Sequence, residues 1–299
     1  MKKKLLIAGA NGYLGSNLIS YLLKSSKYLV YGMQRVGDEI EVIYHDMNGS
    51  KHVILRTNLL LEIFKSIKFD IIINVAADIR KTCGPDSVRP LIESNVLFAI
   101  ELASWASETN VNRYIFLSTF STHLNKDNYF PQTLYAATKK ATEDILVFYA
   151  QSRQLPVTVL ASYDIYGPHQ PHKRLIPELV KAIRNGTQFT INGGDQKFCP
   201  IYINDVVGAI EIALDSKDLG INSYCLSGPE VFQVKEIPSI ISNILCLPIY
   251  ASQISCNFNY RDNEIMEIDP RFPLLPNWRP QTTFAQGILR LVQESKGNN

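Results

Sequence analysis

Three segments carry residues whose types and spacing suit chemistry. In Tyr135-Ala136-Ala137-Thr138-Lys139 the phenol and the amine are four positions apart, which on a helix puts both on one face. A phenol is a poor base at its ordinary pKa of about 10, but a neighbouring ammonium favours the phenolate. The pair can then pass a proton to or from a substrate oxygen near neutral pH. Upstream, an apolar run closes in Leu117-Ser118-Thr119-Phe120-Ser121. Hydroxyls at the carboxyl end of a central parallel strand face the crevice where such sheets bind ligands. Turn formation and helix capping use the same residue types, so one of Ser118 and Thr119 is expected to serve each purpose.

The third segment opens the chain: Gly9-Ala10-Asn11-Gly12-Tyr13-Leu14-Gly15 follows a short apolar run and precedes a helical pattern. Glycines there permit a tight turn, a close approach of backbone to a pyrophosphate, and a helix start whose free N–H groups face the phosphates. That context points to dinucleotide binding through Gly9, Asn11, Gly12, Tyr13, Leu14 and Gly15. An acidic residue about 20 positions further on would take the ribose 2′-hydroxyl of NAD. The chain has Gly32-Met33-Gln34-Arg35 there. With no carboxylate and a guanidinium able to hold a phosphate bidentately, Gln34 and Arg35 favour NADP(H). NAD(H) stays possible, with Asp38 or Glu39 supplying the acid.

These residues must be positioned by a scaffold, and the first half of the chain reads as alternating strands and helices. Strands are expected at Lys4–Ala8, Tyr28–Gly32, His52–Leu55, Phe69–Ala77, Arg113–Ser118 and Pro156–Leu160, with helices at Leu60–Lys68, Leu91–Asn110 and Thr133–Gln154. The continuous β-branched run within Phe69–Ala77 implies burial on both faces. This order predicts an α/β fold, a Rossmann-like doubly wound parallel sheet over residues 1–165. Beyond it prolines become frequent, and helices are expected at Ile176–Asn185, Asp205–Asp215, Val234–Leu245 and Thr283–Glu294. Residues 166–299 are expected to form mainly a smaller C-terminal substrate-binding lobe, with some segments returning to the sheet.

Composition narrows the partners. Thirty Lys+Arg against 28 Asp+Glu over 299 residues give a net charge of +2. The only basic run is Lys2-Lys3-Lys4, so a nucleic-acid partner is not expected. The apolar stretch after it is too short for a bilayer span or a signal-peptide core. The five cysteines form no C-x-x-C pair, so neither a disulfide framework nor a metal site is expected. Reduced thiols and a cytoplasmic location are the plain reading, with no membrane partner.

Together, Gly9-x-x-Gly12-x-x-Gly15, Ser118-Thr119, Tyr135-x-x-x-Lys139 and Tyr166-Gly167-Pro168 resemble an extended short-chain dehydrogenase/reductase of the nucleotide-sugar epimerase/dehydratase branch. The likeness includes Asn58-Leu59 where the family has Asp-Leu against adenine, Ala76-Ala77 after an Asn74 that replaces His, Asn95 in the next helix, and Tyr202-Ile203-Asn204-Asp205-Val206. The resemblance implies that Thr119, Tyr135 and Lys139 are the catalytic triad. Thr119 would hold the reacting sugar oxygen, Tyr135 would exchange its proton, and Lys139 would bind the nicotinamide ribose while lowering the Tyr135 pKa. It also implies cofactor contacts from Asn58, Leu59, Ala76, Ala77 and Asn95, and a homodimer through the helices at Leu91–Asn110 and Thr133–Gln154.

Departures from the family discriminate among reactions. Its dehydratases carry acidic residues directly after the catalytic Thr, where this chain has Phe120 and Ser121. A Cys and a His mark the epimerase-reductases, and Phe120 stands at the Cys position, which leaves His169 and His172 as loop residues. A 4-epimerase usually holds NAD through an acid at the Gln34 position. The expectation is therefore NADPH-dependent reduction of a nucleotide-linked 4-keto-6-deoxy sugar, as in surface-polysaccharide (O-antigen) synthesis. The alternatives are a nucleotide-sugar 4-epimerase, a smaller carbonyl substrate, or a non-enzymatic NADP sensor or structural protein. The family's phosphate-gripping R-D-F is Phe198-Cys199-Pro200 here, and its Asn before V-Y-G-P is Asp164. Substrate contacts are expected from Thr119, Asp164, Lys173, Arg174 and Phe198, with Lys173, Arg174 or Lys197 supplying the missing charge.

Overall fold

The apolar run at the start of the chain becomes the middle of a sheet. A computed structural model describes residues 2–80, 82–122, 131, 133–192, 194–250, 252–255 and 273–294. In it β1 (Lys3–Ala8) leads through α1 (Tyr13–Leu22) to β2 (Tyr28–Val36), which lies parallel to β1. β3 (Glu39–His45) and β4 (Lys51–Thr57) then fold back in turn as antiparallel neighbours. Next come α2 (Leu60–Ser66), β5 (Ile71–Asn74), α3 (Pro85–Ile92), a π-helical turn at Glu93–Leu97, α4 (Phe98–Glu108) and β6 (Arg113–Thr119). A 3-10 turn, Phe120–Thr122, follows; α5 (Leu134–Ser152) and β7 (Val157–Ser162) end the first half.

The second half alternates short strands with helices. In order these are β8 (Ile165–Tyr166), α6 (Leu175–Asn185), β9 (Phe189–Asn192), β10 (Lys197–Phe198), β11 (Ile201–Tyr202), α7 (Ile203–Leu214), β12 (Ile221–Leu226) and β13 (Phe232–Gln233). A 3-10 turn at Val234–Glu236 leads into α8 (Ile237–Leu245), and β14 (Ser252–Ser255) and α9 (Phe284–Glu294) follow. The main sheet has eight strands in the order β12-β7-β6-β5-β1-β2-β3-β4. β12, from the second half, runs parallel to β7 and completes one edge.

Strand side chains alternate between faces, and this places two cores. Leu5, Ile7, Ile71, Ile73 and Ile115 face α1, α7 and the helices of the second half, whereas Leu6, Ile72, Phe116, Val157 and Val159 face α2, α4 and α5. A strand covered on both sides is largely apolar, which is why β5 reads Ile71-Ile72-Ile73 before its buried, hydrogen-bonded Asn74.

Three elements of the first half differ from expectation. β3 lies where no element is expected: Gly37-Asp38 closes a two-residue hairpin with Val36 paired to Glu39 and Gly37 at φ +61°. This hairpin extends β2 to Val36 and displaces the expected third strand outward. β5 stops at Asn74, whose side chain accepts from the Ala76 N–H (3.1 Å) and donates to the Tyr114 hydroxyl (2.9 Å). The helix expected from Leu91 begins at Pro85, and the π turn inserted at Glu93–Leu97 holds the buried Asn95.

Candidate active site

The glycine turn sets the site. Gly9 has φ +89°, and a Cβ on it would lie 2.7 Å from the Ala76 nitrogen, so only glycine lets β1 end against the loop after β5. A Cβ on Gly15 would overlap the Gly9 carbonyl oxygen. The Gly9 and Ala10 N–H groups both donate to the Met33 carbonyl (3.0 and 3.1 Å), tying the turn to β2. α1 starts at an N-cap glycine with no side-chain cap and no acidic residue in its first turn. Its first N–H groups are thus free to face an anion. Close glycine packing and an uncapped, acid-free helix start fit the pyrophosphate of a dinucleotide.

Above the turn lies a cleft of about 710 Å³. One side is Gly9, Asn11, Gly12, Tyr13, Leu14 and Gly15, with Gln34 and Arg35 from the end of β2. Ala76 and Ala77 line its middle. Thr119, Tyr135, Lys139, Asp164 and Arg174 line the other side. Residues spread over the chain from 9 to 174 are thus brought to one crevice at the carboxyl ends of the parallel strands.

Other expected contacts lie elsewhere. Asn58 and Leu59 follow β4 and are exposed outside the cleft, because β3 stands between β4 and β2 and moves that end one strand spacing, roughly 4.8 Å, outward. Ile40 of β3 lines the cleft instead. Asn95 is buried beside the cleft: its side chain accepts from the Asp78 N–H (2.8 Å) and donates to the Asp78 carbonyl (2.9 Å) and the Thr138 hydroxyl (3.1 Å). It braces the loop after β5 against α5, and Asp78 rather than Asn95 reaches the cleft. Lys173 is exposed outside the lining, and Phe198 is turned into the core by pairing with Phe232. Of the candidate cations, Arg174 alone lines the cleft among the described residues. The lining also takes Glu93, Ser94 and Phe98 from the helix after β5, where no motif marked them.

The two hydroxyls divide their work. Ser118 is buried and donates to the Glu143 carboxylate of α5. Thr119 stands at the cleft with its Oγ1 2.9 Å from the Ser121 hydroxyl. The next residue, Phe120, is 2 % exposed and stacks on Tyr163 with ring centres 3.8 Å apart. α5 begins at Thr133, whose side chain accepts from the Ala136 N–H (3.1 Å). This cap fixes the first turn and so places Tyr135 in the cleft, with Lys139 one turn further in.

Burial dominates the titration of both. It pushes the Tyr135 phenol up to about 12; the Arg174 guanidinium opposes the rise and the Asp164 carboxylate adds to it. It also pulls Lys139 down to about 7, with Glu143 opposing. Lys139 was expected to depress Tyr135. In the structure the cation that does so is Arg174, because Lys139 is itself desolvated against Phe116. Arg174 and Asp164 are ion-paired at 3.6 Å.

Residues 5–226 match the model of the NAD dependent epimerase/dehydratase family. The chain belongs to that family. Members of the epimerase/dehydratase family are among its relatives: it is 28% identical over 246 residues to dTDP-D-glucose 4,6-dehydratase of Dictyostelium discoideum, covering 73% of this chain and 57% of that protein. It is 26% identical over 259 residues to an uncharacterized UDP-glucose epimerase, YtcB, of Bacillus subtilis (strain 168), covering 81% and 82%. Among solved structures it resembles UDP-glucose 4-epimerase of Thermotoga maritima, with a TM-score of 0.82, 17% identity and coverage of 98% and 99%. UDP-glucuronic acid 4-epimerase of Bacillus cereus gives a TM-score of 0.80 at 21% identity, with coverage of 99% and 100%. At these identities the structural likeness establishes the epimerase/dehydratase fold, a sheet-centred Rossmann-like architecture. No helix among the described residues is long and apolar enough to cross a membrane.

Proposed function

We propose that this protein is a cytoplasmic reductase that uses NADPH to reduce the 4-keto group of a nucleotide-linked 4-keto-6-deoxy sugar. The observation that carries this reading is the gathering of Thr119, Tyr135 and Lys139 across one cleft from the glycine turn, with the residue after Thr119 committed to packing. Phe120 offers no acid where a dehydratase of the resembled kind needs one. A bound nicotinamide dinucleotide supplies the hydride. Thr119 holds the sugar oxygen, and Tyr135, kept protonated by burial, gives that oxygen its proton. Lys139, in the depth of the cleft, holds the ribose. Arg35, beside a Gln34 that carries no charge, favours the 2′-phosphate, and Arg174 takes the nucleotide diphosphate in place of the arginine that Phe198 replaces.

A second reading, 4-epimerisation of a nucleotide sugar with retained cofactor, is supported by the UDP-sugar 4-epimerases among the structural relatives. It needs the same three residues and no others. We also infer a homodimer across the helices α3, α4 and α5. Ile92, Leu97, Ile145 and Phe148 are 42%, 50%, 37% and 51% exposed there.

CDP-, dTDP- and GDP-linked 4-keto-6-deoxy sugars offered with NADPH test the assignment. Loss of one NADPH per sugar reduced is expected. UDP-glucose, which carries a C4 hydroxyl, is offered in parallel without added NADPH: its isomerisation without net loss of cofactor replaces reduction by epimerisation, and silence on the keto sugars and on UDP-glucose alike sinks both.

A further inference from the structure

We propose that Glu41 is a positioning residue for the cofactor: by accepting from the Gln34 amide it turns the Gln34 carbonyl oxygen into the cleft as an uncharged acceptor for the adenosine ribose. This rests on the reading of the cleft as a nicotinamide-dinucleotide site.

The placement follows from strand register. Gln34 on β2 pairs with Glu41 on β3, and Glu41 pairs with Arg56 on β4, so the three side chains form a row across the hairpins on one face. The Gln34 Nε2 donates to Glu41 Oε2 at 3.0 Å. The Arg56 guanidinium donates to Glu41 Oε1. Glu41 is 6 % exposed and Gln34 lines the cleft. Two donors hold the Glu41 carboxyl below its ordinary range, so at neutral pH it is ionised.

An ionised carboxylate can only accept. The Gln34 amide must therefore direct its NH2 at Glu41, and its oxygen is the polar atom left for a ligand. NAD-specific sites of this fold place a carboxylate in that region to take the ribose hydroxyl. Here the carboxylate sits one strand away, neutralised by Arg56, and the amide oxygen stands in its stead. An amide accepts from a ribose hydroxyl without repelling a 2′-phosphate, so Arg35, at the next position, can draw that phosphate unopposed.

Calorimetric titration of the purified chain with NADPH and with NADH tests this. Glu41→Gln is isosteric, but it lets residue 41 donate and so frees or reverses the Gln34 amide. It should weaken both dinucleotides by about three- to tenfold, with the NADPH/NADH ratio preserved because Arg35 is untouched. Gln34→Ala should bring the same loss, and Glu41→Gln added to Gln34→Ala should bring no more. The proposal is overturned if Glu41→Gln binds both dinucleotides as the unmodified chain does, or if it costs as much again in the Gln34→Ala background. If the unmodified chain binds neither dinucleotide, the cofactor reading falls and the proposal with it, an outcome distinct from the other two because no variant is involved.

Discussion

The Lys139 ammonium lies 4.1 Å from the centre of the Phe116 ring, 1 % exposed and one helical turn below Tyr135. Burial pulls its pKa from 10.5 to about 7. In the unfolded chain the amine keeps its proton to the ordinary lysine value. Between pH 7 and about 10 the unfolded state therefore binds more protons than the folded one, and stability rises with pH by up to ~1.4 kcal/mol per unit. Above that range the buried tyrosines, whose folded pKa values are raised, reverse the trend. Urea denaturation of the wild-type chain and of Lys139→Met across this window should show the slope in the first and its loss in the second. Parallel curves would place Lys139 in contact with water.

Tyr135 meets the opposite shift for the same reason, since burial disfavours whichever form is charged. Its phenol, raised to about 12, is a proton donor at neutral pH. Tyr135→Phe removes one hydroxyl and almost no contact area. Turnover should fall by roughly 10²–10⁴-fold, while the dissociation constant for NADPH stays within about twofold. Retention of the wild-type rate would remove Tyr135 from the mechanism.

Arg174 and Asp164 bring opposite charges to the lining of the cleft. Their ion pair spans 3.6 Å, and each is partly exposed, so a diphosphate can compete for the guanidinium. Arg174→Ala should raise the KM for the nucleotide sugar about 10- to 100-fold, the range for hydrogen bonds to charged groups. Asp164→Asn should lower it, because a like charge is removed. Steady-state kinetics with both variants decide the matter; equal KM values across the three proteins would move diphosphate binding elsewhere.

Ser118 holds the buried Glu143. Burial raises the Glu143 pKa, and the Ser118 hydroxyl opposes that rise. Ser118→Ala should destabilise the fold by about 1–3 kcal/mol at pH 8. The loss should shrink at acid pH as Glu143 protonates and the charge that needs the donor disappears. Denaturant midpoints at the two pH values test this, and a loss independent of pH would assign Ser118 to packing alone.

Much of the scaffold was legible because a strand or helix writes its environment into its own residues. Leu5-Leu6-Ile7-Ala8 is apolar at each position because both faces of β1 are covered, and Thr133 stands before α5 because a helix start needs an acceptor. β3 was also signalled, by Gly37-Asp38 and the alternation Glu39-Ile40-Glu41-Val42, but a doubly wound parallel pattern has no place for an antiparallel hairpin at that point. The resemblance implied cofactor contacts at Asn58 and Leu59, whereas β3 stands between β2 and β4 and brings Ile40 to the cleft and Glu41 to Gln34 instead.

The sequence alone settled which residues share an element: the three glycines on one turn, Tyr135 and Lys139 on one helix face, and the hydroxyls at one strand end. Local periodicity decides those relations, since it depends on nothing beyond a few neighbouring residues. Tertiary structure alone decided which hydroxyl turns to Glu143 and which faces the cleft, that Glu41 meets Gln34, and that Arg174 rather than Lys139 opposes the rise of the Tyr135 pKa. Those are contacts between elements, set by strand register and by burial from all sides. No spacing within one segment encodes either.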